Sequence, residues 1–207
     1  MHQTAEDNAK RFFHNYVYIN QEPSNILEIG SYIGGFNIRS LKPENSNYVG
    51  VDLSMGGGVD IVLTDPYVLP FEDNTFDFAI SSSCFEHSEF FWLSFLETIR
   101  VLKPHGLFYL NAPSNGDFHR FPVDCWRFFP DSGQALVNWA NRNGYKSGVI
   151  EQYTSDKEND IWSDYVGVFI KDISFIDKFE NRIINNFNNF TNGSIYPHTN
   201  IINEKKW

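Results

Sequence analysis

The chain has 207 residues, 42% apolar and 17% aromatic, enough to bury one large core and too apolar for a disordered chain. Its net charge of −10 comes from 16 basic against 26 acidic residues, and the basic ones form no dense run, so no nucleic-acid partner is expected. Two cysteines in no metal-binding spacing (Cys84 and Cys125), no leader-like N-terminus and no apolar stretch approaching ~18 residues predict a cytoplasmic protein without a membrane span.

In chain order, Ala5, Ala9, Phe12, Phe13 and Tyr16 recur at steps of three and four and predict a helix over 4–19, broken by Pro23 and Ser24. Asn25 to Ile29 reads as a buried parallel strand ending in a glycine turn. A helix over Gly34 to Leu41 stops before Pro43. Strands follow at Tyr48 to Leu53, Val59 to Leu63 and Phe76 to Ser81. An amphipathic helix from Glu89 to Leu102 carries Trp92, Leu96 and Ile99 inward and ends at Pro104 and Gly106. Leu107 to Asn111 is a fifth strand, and 112–130 a long irregular loop of the kind that usually carries function. Asp131 is the expected cap of a helix to Gly144, with Leu136, Trp139 and Ala140 inward. Tyr145 to Tyr153 and Tyr165 to Lys171 close the sheet. A final helix over Ser174 to Phe190 would line up Ile176, Phe179, Ile183, Phe187 and Phe190, before a polar, mobile tail over 193–207. The whole reads as one domain, 1–207, with helices on both faces of a parallel sheet and ligands at the carboxyl ends of its strands.

Three clusters along that rim carry chemistry. Ile26-Leu27-Glu28-Ile29-Gly30-Ser31-Tyr32-Ile33-Gly34-Gly35 is a strand ending in an acid and a tight glycine turn; alone it would serve a dinucleotide equally well. Asp52, at the tip of Val49-Gly50-Val51-Asp52, can accept from both hydroxyls of a ribose. The third cluster runs from Asp65-Pro66-Tyr67-Val68-Leu69-Pro70-Phe71 through Phe76-Asp77 to Ser81-Ser82-Ser83-Cys84-Phe85-Glu86-His87. Together with Arg100-Val101-Leu102-Lys103-Pro104-His105-Gly106 it resembles the class I S-adenosylmethionine-dependent methyltransferases. The likeness is to their broad type 11 group, with its acid-x3-Leu-Pro-Phe turn and Arg-Val-Leu-Lys-Pro segment, and it covers about residues 24–112.

The resemblance implies a Rossmann-like α/β fold with a mostly parallel, seven-stranded sheet, and S-adenosylmethionine as cofactor. Glu28 and Gly30 would lie at its methionine end, with Ser31, Tyr32 and Gly34 in the same loop. Asp52 would hold the ribose with Leu53 beside it. Asp65 and Pro66 would flank the adenine, and Ser82 would close the site from the fourth strand. Two residues depart from the pattern: Tyr32 stands at the usual middle glycine, and Pro66 has no N–H to offer the adenine.

The loop segment His119-Arg120-Phe121-Pro122-Val123-Asp124-Cys125-Trp126-Arg127-Phe128 resembles methyltransferases of bacterial surface-polysaccharide gene clusters. It offers bases (His119, then Asp124, with His87 a third choice), a cation (Arg127) for an anionic acceptor group, and an aromatic face (Trp126) for a sugar ring. The competing reading is that Asp124 and Arg127 merely brace the loop. His119 and Asp124 are competent metal ligands, but no spacing demands a metal and none is assigned. The expected activity is methyl transfer to a small or carbohydrate-like acceptor. A nicotinamide oxidoreductase, or a cofactor-binding scaffold protein, are the alternatives.

Overall fold

The computed structural model describes residues 2–20, 22–157, 160–197 and 200–205. Eight strands form one sheet: β1 Asn25–Ile29, β2 Asn47–Asp52, β3 Ile61–Val62, β4 Phe76–Ser82, β5 Leu102–Pro113, β6 Gly148–Ser155, β7 Asp164–Ile170 and β8 Phe190–Ile195. Their order is β3-β2-β1-β4-β5-β7-β6-β8. The pairs from β3 to β5 are parallel, and those joining β5, β7, β6 and β8 are antiparallel. The fold is therefore the expected Rossmann-like one, with eight strands rather than seven. Chain order reverses beside β1, where β4 is inserted, and a ligand crevice opens there at the carboxyl ends of the strands.

Both faces of the sheet are covered, which is why its central strands are continuous apolar runs. One face carries α2 (Phe91–Val101) and α3 (Ser132–Arg142), which pack Phe95, Ile99, Leu136, Val137 and Ala140 on the sheet. The spacing on α3 places Trp139 outward, not inward: it is 37% exposed, and Val137 takes the buried position. Asp131 precedes α3, but its side chain makes no capping bond. The other face carries α1 (Gln3–Phe12), which continues as a π-helical turn over Phe13–Val17 and buries Phe12, Phe13, Tyr16 and Val17.

Two predicted helices are not formed. Of Gly34 to Leu41, only Ile38–Leu41 is helical, as a 3-10 turn whose start is set by the Asn37 side chain accepting the Arg39 N–H. The C-terminal stripe has helical spacing yet folds as a 3-10 turn (Ile173–Lys178), a second one (Ile183–Asn186), and the edge strand β8. Two forces outweigh the periodicity. The Asn-rich stretch is a poor helix former. The fully buried Glu151 carboxylate on β6 accepts the N–H groups of Ile183 (2.8 Å) and Ile184 (3.1 Å) and the Tyr16 hydroxyl, so the backbone turns there to satisfy it. The tail beyond β8 folds back as well, with Gly193 and Ile202 exchanging N–H···O bonds of 2.9 and 2.7 Å. Positions 198, 199, 206 and 207 of the tail lie outside the described residues.

Candidate functional site

The turn after β1 is built on Gly30. Its φ of +78° suits glycine, and a Cβ there would meet the Cys84 side chain at 2.5 Å. Gly30 and Ser31 both donate to the Val51 carbonyl (2.9 and 3.1 Å), and Ile33 donates to Gly57 (2.9 Å), which laces the turn to the end of β2. Tyr32 does not fill the crevice in place of the missing glycine. Its ring lies over Gly56, where a Cβ would sit 2.3 Å from the ring, and the residue stays 42% exposed. Gly34 has open space around it. Because no α-helix follows the turn, the site lacks the helix N-terminus that often faces a ligand in such folds.

Asp52 ends β2 and organises both adjoining loops. Its Oδ2 accepts the Tyr32 N–H (3.1 Å), and its Oδ1 accepts those of Leu53 (2.7 Å) and Ser54 (3.3 Å). Each carboxylate oxygen has two lone-pair directions; Oδ1 uses both and Oδ2 one, so the group can still accept from one ribose hydroxyl. Leu53 is exposed beside it. Asp65 closes an Asx turn: its Oδ1 accepts the Tyr67 N–H at 2.8 Å, so the first backbone donor after Pro66 is already used. The turn after β1 and the end of β4 carry buried, under-bonded hydroxyls. The buried hydroxyls of Ser31, Ser82 and Ser83 have no hydrogen-bond partner among the described residues. A cradle with a close-approach glycine, an acid at the strand tip and orphaned hydroxyls fits a nucleoside-bearing cofactor.

Glu28, only 6% exposed, lies on β1 and accepts the Tyr48 hydroxyl at 2.8 Å. Burial pushes its carboxyl up to about 7, with the Tyr48 bond partly opposing. The native state therefore keeps a proton between pH 4.5 and 7 that the unfolded chain loses, so this group's contribution to stability falls as pH rises through that window. Glu28→Gln removes the dependence. In denaturant titrations from pH 4.5 to 8, the variant should gain on the native protein by on the order of 3 kcal/mol. A pH-independent difference between the two would mean that Glu28 ionises normally.

Opposite the glycine turn, β4 runs into a 3-10 turn, Phe85–His87. The Glu86 carbonyl accepts the N–H groups of Cys125 (2.8 Å) and Trp126 (3.2 Å), which pins the long loop to the rim. His87 Nδ1 lies against the Val123 carbonyl, and burial lowers its pKa. The His87 ring meets His119 edge to face at 5.1 Å between centroids and Phe121 at 6.4 Å; Phe121 in turn touches Tyr32 at 6.0 Å. The predicted residues from both halves of the rim are thus brought together across the crevice.

Asp124 and Arg127 are locked on each other. Arg127 Nη1 donates to Asp124 Oδ1 (2.6 Å) and Nη2 to Oδ2 (2.9 Å), and Asp124 also accepts the His119 N–H (2.8 Å). The Arg127 fork further donates to the carbonyls of Asp117 and Trp126. These bonds hold the Asp124 carboxyl well below the usual carboxylate range. A carboxylate so stabilised is a weak base, and both Arg127 Nη groups are engaged within the loop while its buried Nε has no partner among the described residues, so the geometry favours the bracing alternative over a base and an anion clamp. Trp126 is 37% exposed; its Nε1 donates to the Ser88 carbonyl (2.9 Å), while Phe91 and Trp92 pack on it edge-on.

Several site neighbours escaped sequence reasoning. Glu86 lies inside the Ser81 to His87 segment, whose pattern assigns it no role. Trp162, before β7, packs against His119 at 5.0 Å and stacks on His2 at 5.5 Å. Gly116 makes room for it, since a Cβ there would lie 1.9 Å from the indole. No spacing signal links positions so far apart in the chain. Two clefts of about 290 and 510 Å³ lie away from this rim, beside Phe179 and Phe187 respectively.

Comparison with known proteins agrees with this layout. Residues 27–110 match a family model described as a methyltransferase domain. A phthiotriol/phenolphthiotriol dimycocerosates methyltransferase of Mycobacterium ulcerans is 30% identical over 128 residues, which are 53% of this chain and 45% of that protein. The chain thus spans less than half the length of such relatives. Among solved structures, the 1,6-didemethyltoxoflavin-N1-methyltransferase of Burkholderia thailandensis, with its acceptor and S-adenosylhomocysteine bound, superposes with a TM-score of 0.61 at 16% identity. The match covers 81% of this chain and 78% of that one. The [4+2]-cyclase SpnF superposes nearly as well, with a TM-score of 0.60 at 14% identity over 81% of each chain. These similarities establish the class I methyltransferase fold, and the second shows that the fold hosts more than one chemistry.

Proposed function

We propose that the protein is an S-adenosylmethionine-dependent methyltransferase acting on a hydroxyl of a small, carbohydrate-like acceptor. The observation that carries this reading is the meeting of the His87–His119 pair with the glycine turn across the crevice, through Phe121 and Tyr32. These contacts support a role for the two histidines as proton acceptors beside the end of the site where Glu28 and Gly30 would hold the methionine portion. Bound S-adenosylmethionine supplies an electrophilic methyl on a sulfonium, whose leaving group is neutral. The protein's own part is alignment, exclusion of water and removal of the acceptor proton. Asp52, with Leu53 beside it, holds the ribose; Asp65 and Pro66 flank the adenine; Ser31, Tyr32, Gly34 and Ser82 line the rest.

On the acceptor side, His119 takes the proton and His87 supports it. Asp124 and Arg127 keep the loop in place. The open face of Trp126 suits a sugar ring, and the likeness of 119–128 to proteins of surface-polysaccharide gene clusters supports a role in that synthesis. The test is calorimetry with S-adenosylmethionine, S-adenosylhomocysteine and NAD. Micromolar binding of the first two without NAD is expected. Binding of NAD alone would turn the reading to an oxidoreductase.

A further inference from the structure

The structure assigns a binding site for a divalent transition-metal cation, of the zinc or cobalt class, to Glu86, His87 and His119. One ligand atom from each of the three lies within 4.8 Å of the other two. This reverses the expectation of no metal, which rested on spacing: Glu86 and His87 are adjacent, while His119 arrives from a loop 32 positions later, so no local motif shows the set. Metal bonds of about 2.0–2.2 Å require the donors to close to roughly 3–3.6 Å. His119 can supply that movement, because its side chain is 39% exposed and packed edge-on by His87 and Trp162, with its polar contacts to Asp117, Asp124 and Arg127 all on the Nδ1 side.

Two further observations point to a cation. Glu86 is 1% exposed, yet its Oε2 has no hydrogen-bond partner among the described residues, and its Oε1 lies 3.7 Å from His87 Nε2. A buried carboxylate oxygen left unpaired is costly unless a ligand meets it. The histidines are also already oriented. Nδ1 of His87 faces the Val123 carbonyl, and Nδ1 of His119 faces the Asp117 carbonyl at 3.0 Å. The tautomer that donates each Nδ1–H to its carbonyl leaves Nε2 its lone pair, the backing that metal-bound histidines usually have; at His119 the Arg127 Nη2 also lies 3.4 Å from that Nδ1. Two imidazoles and one carboxylate suit a borderline divalent cation and leave further coordination positions open. The site rests on the proposed function and extends its acceptor side: with a cation bound, His119 would serve as a ligand rather than as the base, and the cation would supply Lewis-acid activation of an acceptor hydroxyl in its place.

The experiment is calorimetric titration of the untagged, chelator-treated protein with ZnCl2, and visible spectroscopy with CoCl2. We expect one equivalent bound and d–d bands from an ordered Co²⁺ site. Glu86→Gln and His119→Ala should each weaken binding by about 10–100-fold or more. Thermal melts and S-adenosylhomocysteine titration of both variants show that they are folded. No binding by the native protein, or binding that both folded variants retain, would overturn the site. Cation binding by a protein that binds no S-adenosylhomocysteine would keep the metal site and instead remove the methyltransferase reading.

Discussion

His119→Ala should lower methyl transfer by about 10²–10⁴-fold while leaving affinity for S-adenosylhomocysteine near that of the native protein. The ring stands on the acceptor side of the crevice, against His87 and Trp162, and makes none of the bonds that shape the glycine turn or the Asp52 loops. Its loss therefore removes proton acceptance without disturbing the cradle. Its side chain is more than one-third exposed, so stability should change by no more than about 0.5–1 kcal/mol. Steady-state kinetics beside thermal melts check both statements. Full turnover by the variant would move the base to His87.

Asp52→Ala should weaken binding of S-adenosylhomocysteine by about 10–10²-fold, since one charge-assisted bond to a ribose hydroxyl is worth roughly 1.5–3 kcal/mol. The carboxylate also ties the glycine turn to the loop after β2 through Tyr32, Leu53 and Ser54, so alanine loosens the site and should lower the melting temperature as well. Asp52→Asn separates the two effects. Its amide oxygen keeps an acceptor for one loop, but the charge is gone and the ribose bond with it. The asparagine variant should therefore melt closer to the native protein and still bind at least about 10-fold more weakly. Native affinity in both variants, measured by calorimetry, would remove Asp52 from the cofactor site.

What the sequence determined by itself is the parallel core and the near half of the crevice. Runs such as Ile26 to Ile29 and Phe76 to Ile80 must be buried on both faces, which restricts them to a covered parallel sheet. Gly30 follows β1 directly and Asp52 ends β2, so their place at the rim is a local consequence of chain direction. The tertiary structure decided the rest. Helical spacing in Ile176, Phe179, Ile183 and Phe187 lost to the unmet bonding need of Glu151, a residue on another element. The fate of Asp124 was open until Arg127 was seen to occupy both its oxygens. Glu86, His87 and His119 form a cluster through contacts between distant segments, among them the Glu86 carbonyl holding the loop at Cys125 and Trp126 and the Trp126 Nε1 bond to Ser88. Periodicity reports which face of an element is apolar. It carries no information about which buried polar group, contributed from far along the chain, must be satisfied, and at this site those groups set the backbone path and the side-chain roles.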